Sequence, residues 1–376
     1  MGNSLPTRFI LLDVMRALAV VMMIQGHTID ALLRSDLLGK GSFAFDLWQV
    51  GRGLTAPIFL FGSGFAYVFA TIRKSQGGRM GPKLLMKRIQ WIAVLFLVGS
   101  LMHFPASSFL GVATASAAQW DLFYRIDVLR LMAIALMGLL MTLTLARTRL
   151  MILRSSLSIA AFIVFLSPLM QSVDWTLYLP RIVAAFLSTH TGSIFPVFPF
   201  AAYVFTGAAA ASFYLQLQEK GSERSFILIA SFLGLAFVVA PLVFKALVGG
   251  AVLSTTSPGL FSLRLGLVLL LWACVGFLLR KITSVPAVLP IVGQHTLLIY
   301  VSHIVVLYGS PWFIGLNYFY GQSMNFVPVF LVIVSLLIGA IAMSLVMHTL
   351  RHRRFHVYQL VPYASLALLV LAMTVM

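Results

Sequence analysis

The first long apolar stretch of this chain, Phe9 to Thr28, reads FILLDVMRALAVVMMIQGHT and carries three ionisable residues, Asp13, Arg16 and His27. An imidazole such as that of His27 can act as general base toward a hydroxyl or an amine, or carry an acyl group transiently. Near a bilayer core each charge costs a few kcal/mol, which makes ionisable residues in such a stretch functional candidates by default. Their spacing is informative. At about 100° per residue, Arg16 and His27 return to within roughly 20° of one helix face, and Asp13 lies on the same stripe. With a rise of ~1.5 Å per residue, Arg16 and His27 are separated by about 16 Å along the axis. Asp13 and Arg16, at i and i+3, either pair with each other to position the helix, or Arg16 binds an anionic part of a ligand while Asp13 orients it.

The elements that must position these residues are membrane helices. The chain is 61% hydrophobic and 9% charged, with mean hydropathy +1.02 and 30 Phe. A soluble globular domain carries about 25% charged residues. Apolar runs of ~20 residues recur from end to end, with no polar block long enough for a soluble domain. The expected fold class is therefore all-α, a polytopic membrane protein of ten or eleven transmembrane helices, with residues 1–376 forming a single integral membrane domain. Predicted spans fall at 9–29, 48–72, 84–103, 127–146, 151–171, 194–216, 226–248, 259–280, 288–310, 325–349 and 357–375. Without the last, which has Pro362 early in it, there are ten. The opening segment is too long, and too charged at Asp13 and Arg16, for a cleavable signal peptide.

The net charge of +17 invites a nucleic-acid reading, but most of the basic residues fall in alternate connections, as the positive-inside rule predicts. That bias orients the N-terminus to the cytoplasm of a cell (inner) membrane and places His27 at the external end of the first span. Cys274 is the single cysteine, which excludes an intramolecular disulfide and a CxxC site. No Walker loop is present, and no metal is expected.

Further candidates follow from the same pattern. The connection from Arg73 to Arg88, with Lys83 and Lys87, is the most basic cytoplasmic stretch. It serves either as a topogenic loop on anionic lipid or as a phosphate-binding surface for a soluble donor such as a CoA thioester. Arg52, at the external end of the second span, is expected to face the same cavity as His27. In that span Thr55 and Pro57 break regularity near the start, while Gly62, Ser63 and Gly64 allow tight helix contact. The stretch His190 to Ala210, HTGSIFPVFPFAAYVFTGAAA, puts Pro196 and Pro199 at a helix entry and suggests a broken or re-entrant start, where Ser193 or Thr191 could cap the helix or line an external vestibule. Tyr300 and His303 are i and i+3 on one face of GQHTLLIYVSHIVVLYG. His303 is the second intramembrane histidine candidate, with a hydrogen bond to a neighbouring helix as the plainer role. His348, His352 and His356, beside Arg351, Arg353 and Arg354, read as a clamp for anionic lipid. A weak echo between LDVMRALAVVMM (Leu12 to Met23) and IDVLRLMAIALM (Ile126 to Met137) is either coincidence or an inverted repeat of the kind transporters use.

The opening LDVMRALAVVMMIQGHT resembles the first helix of the multi-pass transmembrane acyltransferases: the acyltransferase-3 proteins and the heparan-α-glucosaminide N-acetyltransferase-like proteins. In the former, an arginine in the first helix is followed at this spacing by a required histidine, which matches Arg16 and His27. The segments RGLTAPIFLFGSG, FYRIDVLRLMAIAL, TGSIFPVFPFAAYVFTGAA and LPIVGQHTLLIYVSHIVVLYG resemble the second, fourth, sixth and late helices of the latter, in family order from about residue 8 to 310. The resemblance implies helices around a central cavity that binds acetyl-CoA or another acyl-CoA from the cytoplasm. It also implies transfer of the acyl group to a hydroxyl or amino group of an envelope glycan or glycolipid. On that pattern His27 is the catalytic imidazole, Asp13 and Arg16 support donor binding, and Lys83, Lys87 and Arg88 sit where the family has a basic cytoplasmic motif. From their own positions, Arg73 joins the donor set, and Arg52, His190, Tyr300 and His303 are the acceptor-side candidates. Two departures stand out. Lysines replace some of the family's arginines in the basic motif, and Ala17 follows Arg16 where glycine is common. The heparan-type enzymes carry their own active histidine after the first helix, so His27 takes its role from the acyltransferase-3 match. The expected partners are acyl-CoA, the glycan or glycolipid and membrane lipid, with a homodimer as one admissible assembly and nucleic acid excluded. The alternative function is a secondary transporter or a lipid or glycan flippase.

Overall fold

The computed structural model describes residues 9–75, 80–249, 252–282 and 284–353. Among them regular structure is helical apart from two isolated bridges. The chain runs through α1 (Ile10–Leu32), α2 (Phe43–Lys74), α3 (Pro82–Met102), α4 (Ala117–Tyr124) and α5 (Val128–Leu145). It continues through α6 (Arg149–Ser172), α7 (Arg181–Leu187), α8 (Val197–Glu219), α9 (Glu223–Val248) and α10 (Pro258–Lys281). Last come α11 (Val288–Gln294), α12 (Thr296–Tyr308), α13 (Leu316–Tyr320) and α14 (Phe326–Arg353). Nine of these described helices are long and apolar enough to span a bilayer, or ten if the bent pair α11 and α12 is one span. The protein is an all-α polytopic membrane protein. The predicted span at 357–375, like His356 and Arg354 of the basic cluster, lies outside the described residues. His348 and His352 do lie together on α14, with ring centroids 4.4 Å apart.

Contacts divide the chain into two compact units. One comprises the described residues within 1–55, 102–123 and 282–376, the other those within 56–101 and 124–281. In the first, α1 packs on α11, α12 and α14. Its C-terminal end is pinned by backbone bonds: Arg34 N donates to Met324 O at 3.0 Å and Met324 N to Leu32 O at 2.9 Å. Ala31, Leu32, Leu33, Leu307 and Val329 close a buried apolar cluster around that point. Beyond it, Arg34 donates to both oxygens of Asp36, at 3.1 and 2.8 Å, and these bonds hold the Asp36 carboxyl below the usual range.

In the second unit, α6 packs on α8 and α9 on α10. The remainder of α2 meets α8 backbone to backbone. An added Cβ at Gly64 would overlap the Val204 carbonyl, and one at Gly207 would overlap the Phe61 carbonyl. A second such crossing joins Gly234 of α9 to Gly266 of α10. In a bilayer, where lipid is as apolar as leucine, such small residues let helices approach closely enough for dispersion to hold them together.

Two expectations need correction. α2 begins at Phe43 and runs unbroken through Pro57, so the proline lies well inside the helix rather than near a broken start. The predicted single helix over 288–310 is bent by 75° between α11 and α12. There the ladder switches: His295 N donates to Val292 O, an i−3 bond, and α12 restarts with Ile299 N on His295 O. Gly293 sits flush against the Asp13 backbone of α1, where any Cβ would collide. The run Gly293-Gln294-His295-Thr296 interrupts the apolar pattern at this point, but at four residues it is short enough to be read as part of one span. The entry to α8 is irregular, as expected, with Phe198 in extended geometry (φ −99, ψ 113).

At the start of α5, Asp127 caps the helix by accepting from Arg130 N at 2.9 Å, and the Arg130 Nε lies 3.4 Å from the same oxygen. Both side chains are buried, and Arg130 also donates to Arg125 O. The second Asp/Arg pair of the sequence echo is thus an architectural cap, whereas Asp13 lies inside the first turn of α1. Asp127→Ala should cost about 3–5 kcal/mol, since it leaves the Arg130 guanidinium buried without its carboxylate. Asp127→Asn keeps a capping oxygen, so its thermal unfolding midpoint against the wild type reads the charge, and the further drop in Asp127→Ala reads the cap. Equal midpoints for both variants and the wild type would remove the pair from the stability of this unit.

Candidate active site

The first unit gathers its chemistry at the C-terminal end of α1. The His27 Nδ1 lies 2.9 Å from the His303 Nε2, joining α1 to α12. The ring planes differ by 7° and the centroids are 5.2 Å apart. His303 is 2% exposed, and its Nδ1 lies 2.7 Å from Ile299 O one turn back. His27 is half-buried. Its other ring nitrogen, Nε2, has no hydrogen-bond partner among the described residues. The Tyr308 hydroxyl donates to the His27 carbonyl at 3.2 Å and the Tyr300 ring stands edge-on to His303 at 5.8 Å.

Arg52, from α2, runs its side chain past Gly26 and forms an ion pair with Asp30. It also reaches Gln49 at 3.3 Å and stacks over Trp48 at 5.5 Å. Four of the residues singled out in the sequence, His27, His303, Tyr300 and Arg52, therefore form one cluster. Asp30 and Tyr308 complete it and escaped notice. Asp30 follows His27 by three on the same helix and could have been read as a partner for a cation from the next helix. Tyr308 closes the segment that holds His303.

Further along α1, toward its N-terminal end, Asp13 is buried, Arg16 is half-buried, and the two are electrostatic neighbours. The Asp13 backbone carries the Gly293 contact already described. The polar stripe of α1 is thus turned inward, while Ile10 and Val21 are exposed on other faces.

The second unit holds the basic candidates. Lys83 and Lys87 are exposed, whereas Arg73 and Arg88 are half-buried. Arg73 lies over the Phe69 ring at 4.2 Å and donates to Gln218 at 3.3 Å. Arg88 lies over the Tyr67 ring at 4.6 Å. Its Nε and Nη2, like the Tyr67 hydroxyl, are buried and lack a protein partner among the described residues. Buried donors of this kind are costly unless something accepts from them. His190 is exposed, with its Nε2 2.9 Å from Gln171 O, and it belongs to this unit rather than to the His27 cluster. Gln171 also accepts from Thr189 and donates to Phe198 O at 3.0 Å, so it organises the connection into α8. Among the described residues no three His, Cys, Asp or Glu side chains converge as a metal site.

Apolar helices that enclose an imidazole pair and buried cations define a polytopic membrane protein with polar chemistry inside its spans. The chain belongs to the family described as heparan-alpha-glucosaminide N-acetyltransferase, catalytic, whose profile matches residues 8–239. That membership makes it a membrane enzyme of acyltransferase type. The matched region takes in Asp13, Arg16, His27, Arg52, the basic connection and His190, and it ends before Tyr300 and His303. A search of curated proteins finds no match.

Proposed function

We propose that this protein takes an acetyl or other short acyl group from cytoplasmic acyl-CoA and transfers it to a hydroxyl or amino group of an envelope glycan or glycolipid, with His27 as the reacting imidazole. One observation carries the reading: His27 offers an unpartnered Nε2 while its Nδ1 is held by a buried partner. Such an imidazole can take the proton of an acceptor or carry the acyl group itself, and both routes need one free ring nitrogen. The family supports acyl transfer as the class of reaction. The charge bias of the connections supports a cytoplasmic start to α1, with Asp13 and Arg16 on the donor side.

Arg88 is the donor residue with the best support, because its buried N–H groups want an anionic acceptor and CoA carries phosphates. Arg88→Met should raise KM for acetyl-CoA about tenfold or more, the worth of a charge-assisted bond, with kcat little changed. The check is incorporation of labelled acetyl by the purified protein across a range of donor concentrations. An unchanged KM would take Arg88 out of donor binding.

A transporter reading draws on the 75° break between α11 and α12, since broken spans line substrate sites in transporters. Sealed vesicles separate the two. Acceptor that crosses the membrane unmodified favours transport, and release of free CoA together with an acylated acceptor favours the enzyme.

A further inference from the structure

We infer that His303 is a positioning residue that fixes His27 in one tautomer, protonated on Nδ1, and so makes Nε2 the reactive nitrogen. This rests on His27 being the reacting imidazole. The chain of hydrogen bonds has one consistent direction. A carbonyl oxygen only accepts, so the His303 Nδ1, 2.7 Å from Ile299 O, must carry a proton. In a neutral imidazole the other nitrogen then holds a lone pair. That nitrogen, His303 Nε2, faces the His27 Nδ1 at 2.9 Å and must accept, so His27 donates. The proton of neutral His27 is thereby placed on Nδ1, and its Nε2 is left with the lone pair.

The ring geometry agrees. Nearly parallel planes with centroids 5.2 Å apart and nitrogens 2.9 Å apart describe two rings lying edge to edge, as an in-plane N–H···N bond requires. Face-to-face stacking would not bring two nitrogens so close at that centroid separation. A second proton on His303 would bury a cation between helices, where the one nearby carboxylate described, Asp30, is already engaged by Arg52. The Tyr308 hydroxyl goes to the His27 carbonyl and does not compete for Nε2.

The arrangement works as carboxylates and carbonyls do elsewhere when they hold a catalytic or metal-bound histidine. In transfer, the acceptor's O–H or N–H bond breaks and its proton goes to the His27 Nε2. The acceptor atom bonds the acyl carbon, the C–S bond breaks, and the proton passes to the departing sulfur. While His27 is an imidazolium, its Nδ1–H bond to His303 strengthens and stabilises the charge.

The test is the tautomer itself, read by nitrogen and carbon chemical shifts of labelled histidine in the membrane-reconstituted protein. The His27→Gln spectrum assigns the His27 signal. Wild-type His27 is expected as the Nδ1–H form. His303→Leu removes the acceptor and should populate the Nε2–H form. It should also lower kcat by about 10² or more at unchanged KM for acetyl-CoA. His303→Gln, which restores a side-chain oxygen facing His27, should recover most of the loss. A wild-type His27 in the Nε2–H form, or His303→Leu with wild-type kcat, would overturn the assignment. The wild-type spectrum needs neither variant to fold and no turnover. Absence of acetyl transfer by the wild type would sink the proposed function while the tautomer is still read independently.

Discussion

His27→Ala should abolish acetyl transfer, with turnover falling by at least the 10²–10⁴ that a positioned acid–base group contributes. The substitution removes the unpartnered Nε2 and leaves the His303 Nε2 without its donor. The stability cost of that lost bond is about 1–3 kcal/mol, a shift of a few degrees at most in a chain of this size. Activity and stability therefore separate. Expression and the thermal midpoint in detergent stay close to wild type while labelled acetyl no longer reaches the acceptor. Wild-type turnover in His27→Ala would remove this residue from the mechanism.

Gly207→Val is expected to have the opposite profile, with its effect on the fold. A Cβ there falls on the Phe61 carbonyl, so α2 and α8 must separate. Around the crossing Phe61, Phe65 and Val204 are at most 1% exposed and cannot move aside into space. Overpacking of a closed contact costs about 1–3 kcal/mol and occasionally more. Here backbone meets backbone, which puts the cost at the upper end. Gly339 of α14 has nothing within 4 Å of an added Cβ, so Gly339→Ala serves as the control and should be neutral or slightly stabilising. A wild-type melting curve for Gly207→Val would mean that the two helices do not cross at this point.

Much of this molecule could be read without coordinates, and what was missed has physical reasons. Apolar length alone defines a membrane span, because the bilayer requires it. The stripe of Asp13, Arg16 and His27 follows from helical periodicity and cost in lipid, and its inward orientation agrees with that. His27 and His303 were each visible as expensive residues. Their bond joins positions 276 apart, and nothing local to either histidine encodes the other. Arg52 was expected beside His27 and is there, but its ion pair with Asp30 was not foreseen. His190 drew attention as a histidine before two prolines, and the structure gives its Nε2 to the Gln171 carbonyl. The short helices α4, α7 and α13 are of five to eight residues, too brief for periodicity to rise above the background of an apolar chain. The bend at His295 has no proline at the break, and its signal is the four-residue run Gly293-Gln294-His295-Thr296, which a single amphipathic span would also accommodate.

The contact of Gly293 with Asp13 has a mechanical meaning. It is the rivet of a pair of calipers. One jaw is α1 from Asp13 to His27, about 21 Å of unbroken helix at ~1.5 Å per residue. The other jaw is the elbowed α11 and α12 from Gly293 to His303. At the tips the jaws meet through the bond between His27 and His303 and through the Tyr308 hydroxyl on the His27 carbonyl, contacts that tolerate only a few tenths of an ångström. A lever of that length multiplies small rotations at its rivet into displacements its tips cannot absorb. The glycine that lets two backbones touch at one end of α1 thus sets the spacing of the imidazoles at the other.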